Sequence, residues 1–310
     1  MPGWPSSCCP SCSTGCQRAS PNASSRPEER PVADLQFSLG QYFAVAVDWM
    51  NRNWSDTLRA ISGAVDASVK GLEAALISVP PVVIVAVVAL MALRVSGKGL
   101  AAFCAVGLAF CWFGNLWAAT MLTTALVFVS VSLSLMIAIP LGILAASNAV
   151  VEKLLKPLLD LMQTMPPWVY LIPAVVLLGV GRAPAVMATM IFGIPPALRL
   201  TVLGLKQVPQ ERIELGQAYG GSPLHILTKI RLPSALPSIM VGVNQTILLS
   251  LGMVVLAGLI GAGGLGGEVT RGLSRMMLGL ALRAGLAVVI LSIILDRLTQ
   301  GLVQRERADK

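Results

Sequence analysis

The chain has 310 residues, of which 55% are hydrophobic and only 12% charged, and its mean hydropathy is +0.77. A soluble domain carries about 25% charged residues, so these charges are too few to cover a water-soluble protein of this length, and the remaining apolar surface must face lipid. The net charge of +8 is spread between apolar runs rather than gathered into a basic stripe, which argues against nucleic-acid binding and fits Lys and Arg flanking membrane spans.

Residues 1–40 are rich in Ser, Pro, Arg and Cys and read as a disordered tail. Cys9-x-x-Cys12 has ligand-like spacing, with Cys8 and Cys16 beside it. No histidine and no second cysteine pair follow at zinc-finger distance, so no metal is expected. The tail also lacks the continuous apolar core of a signal peptide. Over residues 41–76, Phe43, Val47, Met50, Trp54, Leu58, Ile61, Val65, Val69 and Leu72 recur at helical spacing, with charged residues interleaved throughout. This predicts an amphipathic helix lying on the membrane surface, anchored by Trp49 and Trp54.

Seven apolar stretches follow, each near the roughly 20 residues that cross a bilayer. They are Ile77–Leu93, Leu100–Trp117, Met121–Ser147, Pro157–Val180, Pro184–Leu203, Leu236–Ile260 and Leu278–Leu298. Residues 77–118 would hold two accessory spans, 119–300 a five-helix unit, and 301–310 a tail. Arg94, Lys98, Lys153, Lys156, Arg199, Lys206, Arg212, Lys229, Arg231 and Arg297 fall on one set of alternate loops and ends. That set is predicted to be cytoplasmic, which puts the amphipathic segment outside and the C-terminus inside.

The longest cytoplasmic loop, 206–235, contains Glu211-Arg212-Ile213-Glu214-Leu215-Gly216-Gln217-Ala218-Tyr219-Gly220-Gly221-Ser222-Pro223, continued by Leu224-His225-Ile226-Leu227-Thr228-Lys229-Ile230-Arg231-Leu232-Pro233. It reads as a helix, a glycine break suited to the left-handed conformation, and a second short helix capped by Ser222 with Pro223 in its first turn. Leu224, Leu227, Ile230 and Leu232 are predicted to form an apolar strip, flanked by Lys229 and Arg231, that docks in a groove of another protein.

This string resembles the EAA loop of ABC importer permeases: Glu214, Gly220, Ile230, Leu232 and Pro233 fall on its fixed positions, while Leu215 and Gly216 replace its two alanines. The run Gln163–Pro173 (Gln-Thr-Met-Pro-Pro-Trp-Val-Tyr-Leu-Ile-Pro), Gly242-Val243-Asn244-Gln245-Thr246 and Ile293-Ile294-Leu295-Asp296-Arg297-Leu298-Thr299 are similar to the glycine betaine/proline group of these permeases. The resemblance covers about 117–300. It implies an all-α integral membrane protein of about seven transmembrane helices with a type I ABC importer permease core and a cytoplasmic EAA coupling loop, resident in a bacterial inner membrane. In that family the loop couples an ATPase to the membrane domain. The coupling residues expected here are Glu214, Gly220, Ser222, Pro223, His225, Ile230, Leu232 and Pro233. The implied partners are cytoplasmic ATPase subunits, an external solute-binding protein and a second copy of the chain, and the implied cargo is a small compatible solute. Choline, carnitine or an amino acid is the alternative cargo within the family.

Pro166, Pro167 and Pro173 each free a carbonyl four residues earlier, on Met162, Gln163 and Val169. Irregular backbone at membrane depth is tolerated only where protein or a water-filled path satisfies it. With Gln163, Thr164 and Pro166 on one span and Asn244, Gln245, Thr246 and Ser250 on another, a translocation pathway is expected. The alternative is that these groups hydrogen-bond helices together. No span centre carries an acid or histidine suited to an ion relay, Asp160 and Asp296 being placed near cytoplasmic ends, which disfavours an ion-coupled carrier. Arg283 is read as snorkelling to the interface rather than contacting cargo. The chain has no GxxxxGK[ST] run, so ATP is expected to be handled by a separate chain. Gly261-Ala262-Gly263-Gly264-Leu265-Gly266 matches a dinucleotide fingerprint, but follows a membrane span instead of a strand. His225, the one histidine, has no nucleophile arranged around it. No catalysis and no cofactor are expected.

Overall fold

The computed structural model describes residues 49–308, together with Val45 and Val47. The predicted tail at 1–40 and its cysteines lie outside the described residues, as do the side chains beyond Gly301. The described chain is helical nearly throughout. Residues 49–53 are helical and lead into α1 (Ser55–Ser78), followed by α2 (Pro81–Ser96), α3 (Lys98–Phe113), α4 (Trp117–Ser147), α5 (Ala149–Thr164), α6 (Trp168–Leu178) and α7 (Arg182–Lys206). Then come α8 (Gln210–Ala218), α9 (Pro223–Ile226), a π-turn (Leu227–Arg231), α10 (Leu232–Ala257), α11 (Gly264–Ser274) and α12 (Leu278–Ala308).

Among the described residues, four helical stretches are long and apolar enough to cross a bilayer alone: α4, α7, α12 and the continuous run Pro223–Ile260 containing α10. Two bent pairs bring the total to six, and α3 is a further apolar helix of 16 residues. The predicted single span over Pro157–Val180 is corrected. It is two helices, α5 and α6, meeting at 99°, because Pro166 and Pro167 remove two successive donors where the helix would continue. The surface helix is corrected in part as well. Along α1, Val69 is fully buried, and Val65, Leu72 and Leu76 pack against the main core. This half of the helix therefore rests on protein rather than on lipid.

The centre of the fold is α7 sandwiched between α4 and α10. Small residues bring these backbones together, as expected where lipid supplies no hydrophobic drive between helices. A methyl group added at Gly142 would lie 2.8 Å from Thr201 Cβ, one at Gly204 2.7 Å from Ser238 Cβ, and one at Gly242 3.2 Å from Ala197 Cα. The α2–α3 hairpin, turned at Gly97, packs on α12 through Ala92, Cys104, Leu108 and Ile294. Elsewhere the surface is apolar: Phe113, Phe128, Met136, Ile172, Leu282 and Val289 all point outward. Lipid, not water, is the solvent for such a face.

Helix α7 fixes the two ends of the molecule. It runs about 37 Å for its 25 residues, from Arg182 to Lys206. Arg182 pairs with Glu73 of α1 at 2.7 Å. At the other end, Arg199 and Lys206 pair with Asp160 and Glu152 of α5. Helix α1 and the loop after Lys206 thus sit at opposite ends of α7.

Candidate coupling segment and transport pathway

Beyond Lys206, Pro209 starts α8, whose Ile213 turns inward onto Val208 and Ile226, with Ile230 packed against them. This gives the segment a small core of its own. Helix α8 ends where Gly220 takes φ +74°. The carbonyls of Leu215, Gly216 and Gln217 are satisfied there by the N–H groups of Tyr219 (3.2 Å), Gly221 (3.0 Å) and Gly220 (2.8 Å). Nothing lies within 4 Å of a side chain added at Gly220, so backbone angle rather than crowding requires glycine. At Gly216 the reason is crowding: an added Cβ would lie 2.4 Å from Ile230 Cδ1. Ser222 Oγ accepts from the His225 N–H at 3.3 Å, and Pro223 occupies the first turn. From Pro223 the chain stays helical through the π-turn and into α10, so the exposed segment and the membrane helix share one rod.

The expected apolar strip is rearranged. Of its members only Leu224 is exposed, at 70%. Ile230 packs inward with Ile226, and Leu227 and Leu232 pack on Leu205, Ala235 and Ile239. The π-turn admits an extra residue and rotates the face that α-helical spacing assigned. The outward apolar groups are instead Leu224, Leu215 and Tyr219, the last 85% exposed. Glu214, Gly220, Ser222, Pro223, His225 and Pro233 are exposed, whereas Ile230 and Leu232 hold the segment to the rest of the molecule. Arg212, Leu215, Lys229, Ile230, Pro233 and Ser234 line an open groove of about 390 Å³ on the same side.

The two candidate pathway groups do not come together within the chain. Gln163, Thr164 and Pro166 are exposed at the bend between α5 and α6, with Thr164 Oγ1 donating to the Leu161 carbonyl at 3.0 Å. The Met162 carbonyl freed by Pro166 accepts the Tyr170 hydroxyl. Sequence reasoning did not assign Tyr170 that part: it lies on α6, beyond the break, and the 99° bend that brings it to Met162 has no signature in the sequence.

On α10 the four residues divide. Thr246 is fully buried and donates to the carbonyls of Gly193 (3.1 Å) and Gly242 (2.9 Å). Ser250 is fully buried with no hydrogen-bond partner. Asn244, 7% exposed, donates to Asp296 Oδ1 at 2.9 Å and accepts from Thr299 Oγ1 at 2.7 Å, while Gln300 donates to the same carboxylate oxygen at 2.7 Å. Only Gln245 faces outward. Asp296, placed from sequence near a cytoplasmic end, is held by amides beside a residue about 18 Å along α10 from Leu232. Arg283 donates to the Gly279 carbonyl at 3.2 Å and is exposed.

The glycine string after α10 builds a tight corner. Gly261, Gly263 and Gly264 all have positive φ. A Cβ at Gly258 would lie 2.2 Å from the Gly266 carbonyl carbon, and Thr123 Oγ1 accepts from the Leu265 N–H at 2.8 Å. Helix α11 follows, in the interval between the predicted spans Leu236–Ile260 and Leu278–Leu298.

A lipid-facing helical bundle, with a capped helical knob projecting from one end on the same rod as a central membrane helix, defines an importer-type membrane permease. Residues 138–308 match the family model described as binding-protein-dependent transport system inner membrane component. The chain belongs to that family and is an inner-membrane permease component of an ABC importer. It is 41% identical, over 90% of its length and 78% of the relative's, to the glycine betaine/proline betaine transport system permease protein ProW of Escherichia coli. It is 38% identical, over 84% of its length and 93% of the relative's, to the glycine betaine transport system permease protein OpuAB of Bacillus subtilis. Over 59% of its length its fold is similar to that of a chain of the MetNI methionine ABC transporter in an inward-facing conformation (TM-score 0.53, 24% identity, 92% of that chain covered).

Proposed function

We propose that two copies of this chain form the translocation pathway for a small zwitterionic quaternary ammonium solute of the glycine betaine type. A separate solute-binding protein delivers it, and separate ATPase subunits drive the cycle from the other face. The observation that carries this reading is the continuity of the rod from Pro223 to Ile260. A partner that grips Leu224 and the Pro223–Pro233 stretch would move α10 directly, and Glu214 and Tyr219, before the glycine break, are tied to the same rod through Ile213 packed on Ile226 and Ile230. Such a coupling biases an opening between faces only if ATP binding favours one of the two states.

The exposed candidate pathway residues Gln163, Thr164 and Gln245 carry amides and a hydroxyl but no charge. A zwitterion presents both charges and no net charge, so neutral dipoles replace part of its hydration without trapping it. Gln245 supports the second copy. It is an outward amide twelve residues before the end of a membrane helix, and Gly252 two turns on leaves open space beside it. Lipid cannot satisfy that amide, whereas a partner helix or a water-filled path can.

The test is uptake of labelled glycine betaine into proteoliposomes containing the chain, its ATPase and its binding protein. Uptake should need all three components and ATP. Accumulation by the chain alone, driven by an ion gradient, would show an ion-coupled carrier instead.

A further inference from the structure

A polar cleft of about 830 Å³ lies between residues 51–63 and the end of α6, at the end of α7 remote from the coupling segment. Asn51, Arg52, Ser55, Arg59 and Ser62 line one wall, and Val176 to Gly179 the other. Among the described residues, neither guanidinium has a carboxylate within 4.0 Å: Asp56 pairs with neither, Asp66 is taken by Lys70, and Glu73 by Arg182. The Val176 carbonyl is already occupied by Asn51 Nδ2 at 3.3 Å. The carbonyl end of α6 favours the two cations beside it, and no described carboxylate neutralises them.

The surroundings say what anion this cleft suits. Helix α1 meets α2 at 95°, and the first half of α1, which carries the cleft-lining Ser55, Arg59 and Ser62, has the interleaved apolar and charged pattern of a helix at the membrane interface. Trp49 and Trp54, 60% and 55% exposed, flank the cleft-lining Asn51 and Arg52 in sequence, and exposed aromatic side chains of this kind mark the interface. From Val176 in the cleft wall, Ile172 and Trp168 continue down α6 at four-residue spacing, all three exposed. A cationic pocket opening onto an apolar stripe at the interface is complementary to a phosphodiester with an acyl chain attached. We propose that the cleft binds one anionic phospholipid. Arg52 and Arg59 take its phosphate, Ser55 and Ser62 its glycerol or headgroup hydroxyls, and the Val176–Ile172–Trp168 stripe one acyl chain. The bound lipid would fasten the overhanging start of α1 to the bent α5–α6 pair.

The experiment uses the purified full transporter in detergent and native mass spectrometry. Phosphatidylglycerol should be retained at one more molecule per chain in the parent than in Arg52→Gln/Arg59→Gln, with affinity about tenfold weaker in the variant from lost charge-assisted contacts. Both residues are exposed and have no carboxylate partner among the described residues, so lipid-free thermal midpoints should match. Phosphatidylglycerol should then raise the midpoint of the parent only. Arg275→Gln, an exposed arginine outside the cleft, should behave as the parent. Equal lipid retention by the double variant would overturn the proposal. So would displacement of the lipid by equimolar glycerol 3-phosphate, since a free phosphate would then suffice without the acyl stripe. If the double variant keeps its lipid and loses capture of the solute-binding protein, the cleft is a protein-docking surface instead.

Discussion

Replacing Gly220 with valine isolates the backbone requirement of the coupling break from any packing effect. The residue sits at φ +74°, and no atom lies within 4 Å of an added Cβ. The penalty is therefore conformational, roughly 1–2 kcal/mol for a residue with a Cβ in the left-handed region and more when it is β-branched. It falls on the helix end whose three carbonyls are closed by Tyr219, Gly220 and Gly221. At about 1.4 kcal/mol per factor of ten, the valine variant should populate the docking-competent break tenfold or more less often. Asparagine tolerates this conformation far better. The expected order of ATP-driven uptake at matched membrane levels is glycine, then asparagine, then alanine, then valine. Uptake would be read as initial rates in proteoliposomes, with ATPase activity measured in parallel. Full activity of the valine variant, or asparagine as poor as valine, would refute the requirement for this backbone angle.

Two further substitutions read single contacts. Gly216→Ala should lower stability by about 1–2 kcal/mol through overpacking against Ile230 Cδ1, and Ile230→Val, which removes that carbon, should recover most of the loss. Additive effects of the pair in thermal unfolding would contradict the crowding assigned to Gly216. Tyr170→Phe should cost about 1–3 kcal/mol because it leaves the Met162 carbonyl without its donor at the Pro166 bend. An unchanged unfolding midpoint would mean that something else satisfies that carbonyl.

The spans α4, α7 and α12 were readable because each contains a long uncharged apolar run, all of α4, the stretch between Arg182 and Arg199 in α7 and that between Arg283 and Asp296 in α12, a pattern that does not depend on partners. The glycine break and Ser222 cap were readable because they are local chemistry. The 99° bend between α5 and α6 was not. Pro166 and Pro167 announced a break, and the chain passes there from the charged, amphipathic α5 to the uncharged, apolar α6, but neither signal carries information on direction. Helix α11 was hidden by glycines, which weaken helix propensity and here serve close approach: a Cβ at Gly266 would lie 2.5 Å from the Val255 carbonyl oxygen.

Asn244 shows the limit for site residues. Its side chain is legible as polar at membrane depth, but its partners Asp296 and Thr299 are 52 and 55 residues away. Only the fold reveals that two motifs similar to the same permease group meet in one hydrogen-bonded cluster. Val288 illustrates the same limit on the apolar side. Its type reads as lipid-facing, yet it packs against the core, and its neighbour Val289 is the one that points outward.

The central claim is that motion of the Glu214–Pro233 segment opens and closes a polar path beside α10. Cysteine accessibility in a variant lacking the native six tests it most directly, with single cysteines at Gln245 and Gln163, at buried Asn244, and at outward Val289. A small polar thiol reagent should label Gln245→Cys and Gln163→Cys, and their labelling rates should change severalfold when ATP is trapped on the partner subunit. Val289→Cys, in lipid, and Asn244→Cys, closed between α10 and α12, should stay unlabelled in every state. If Gln245→Cys and Gln163→Cys match Val289→Cys with and without trapped ATP, the path does not run beside α10, and the rod from Pro223 to Ile260 moves something else.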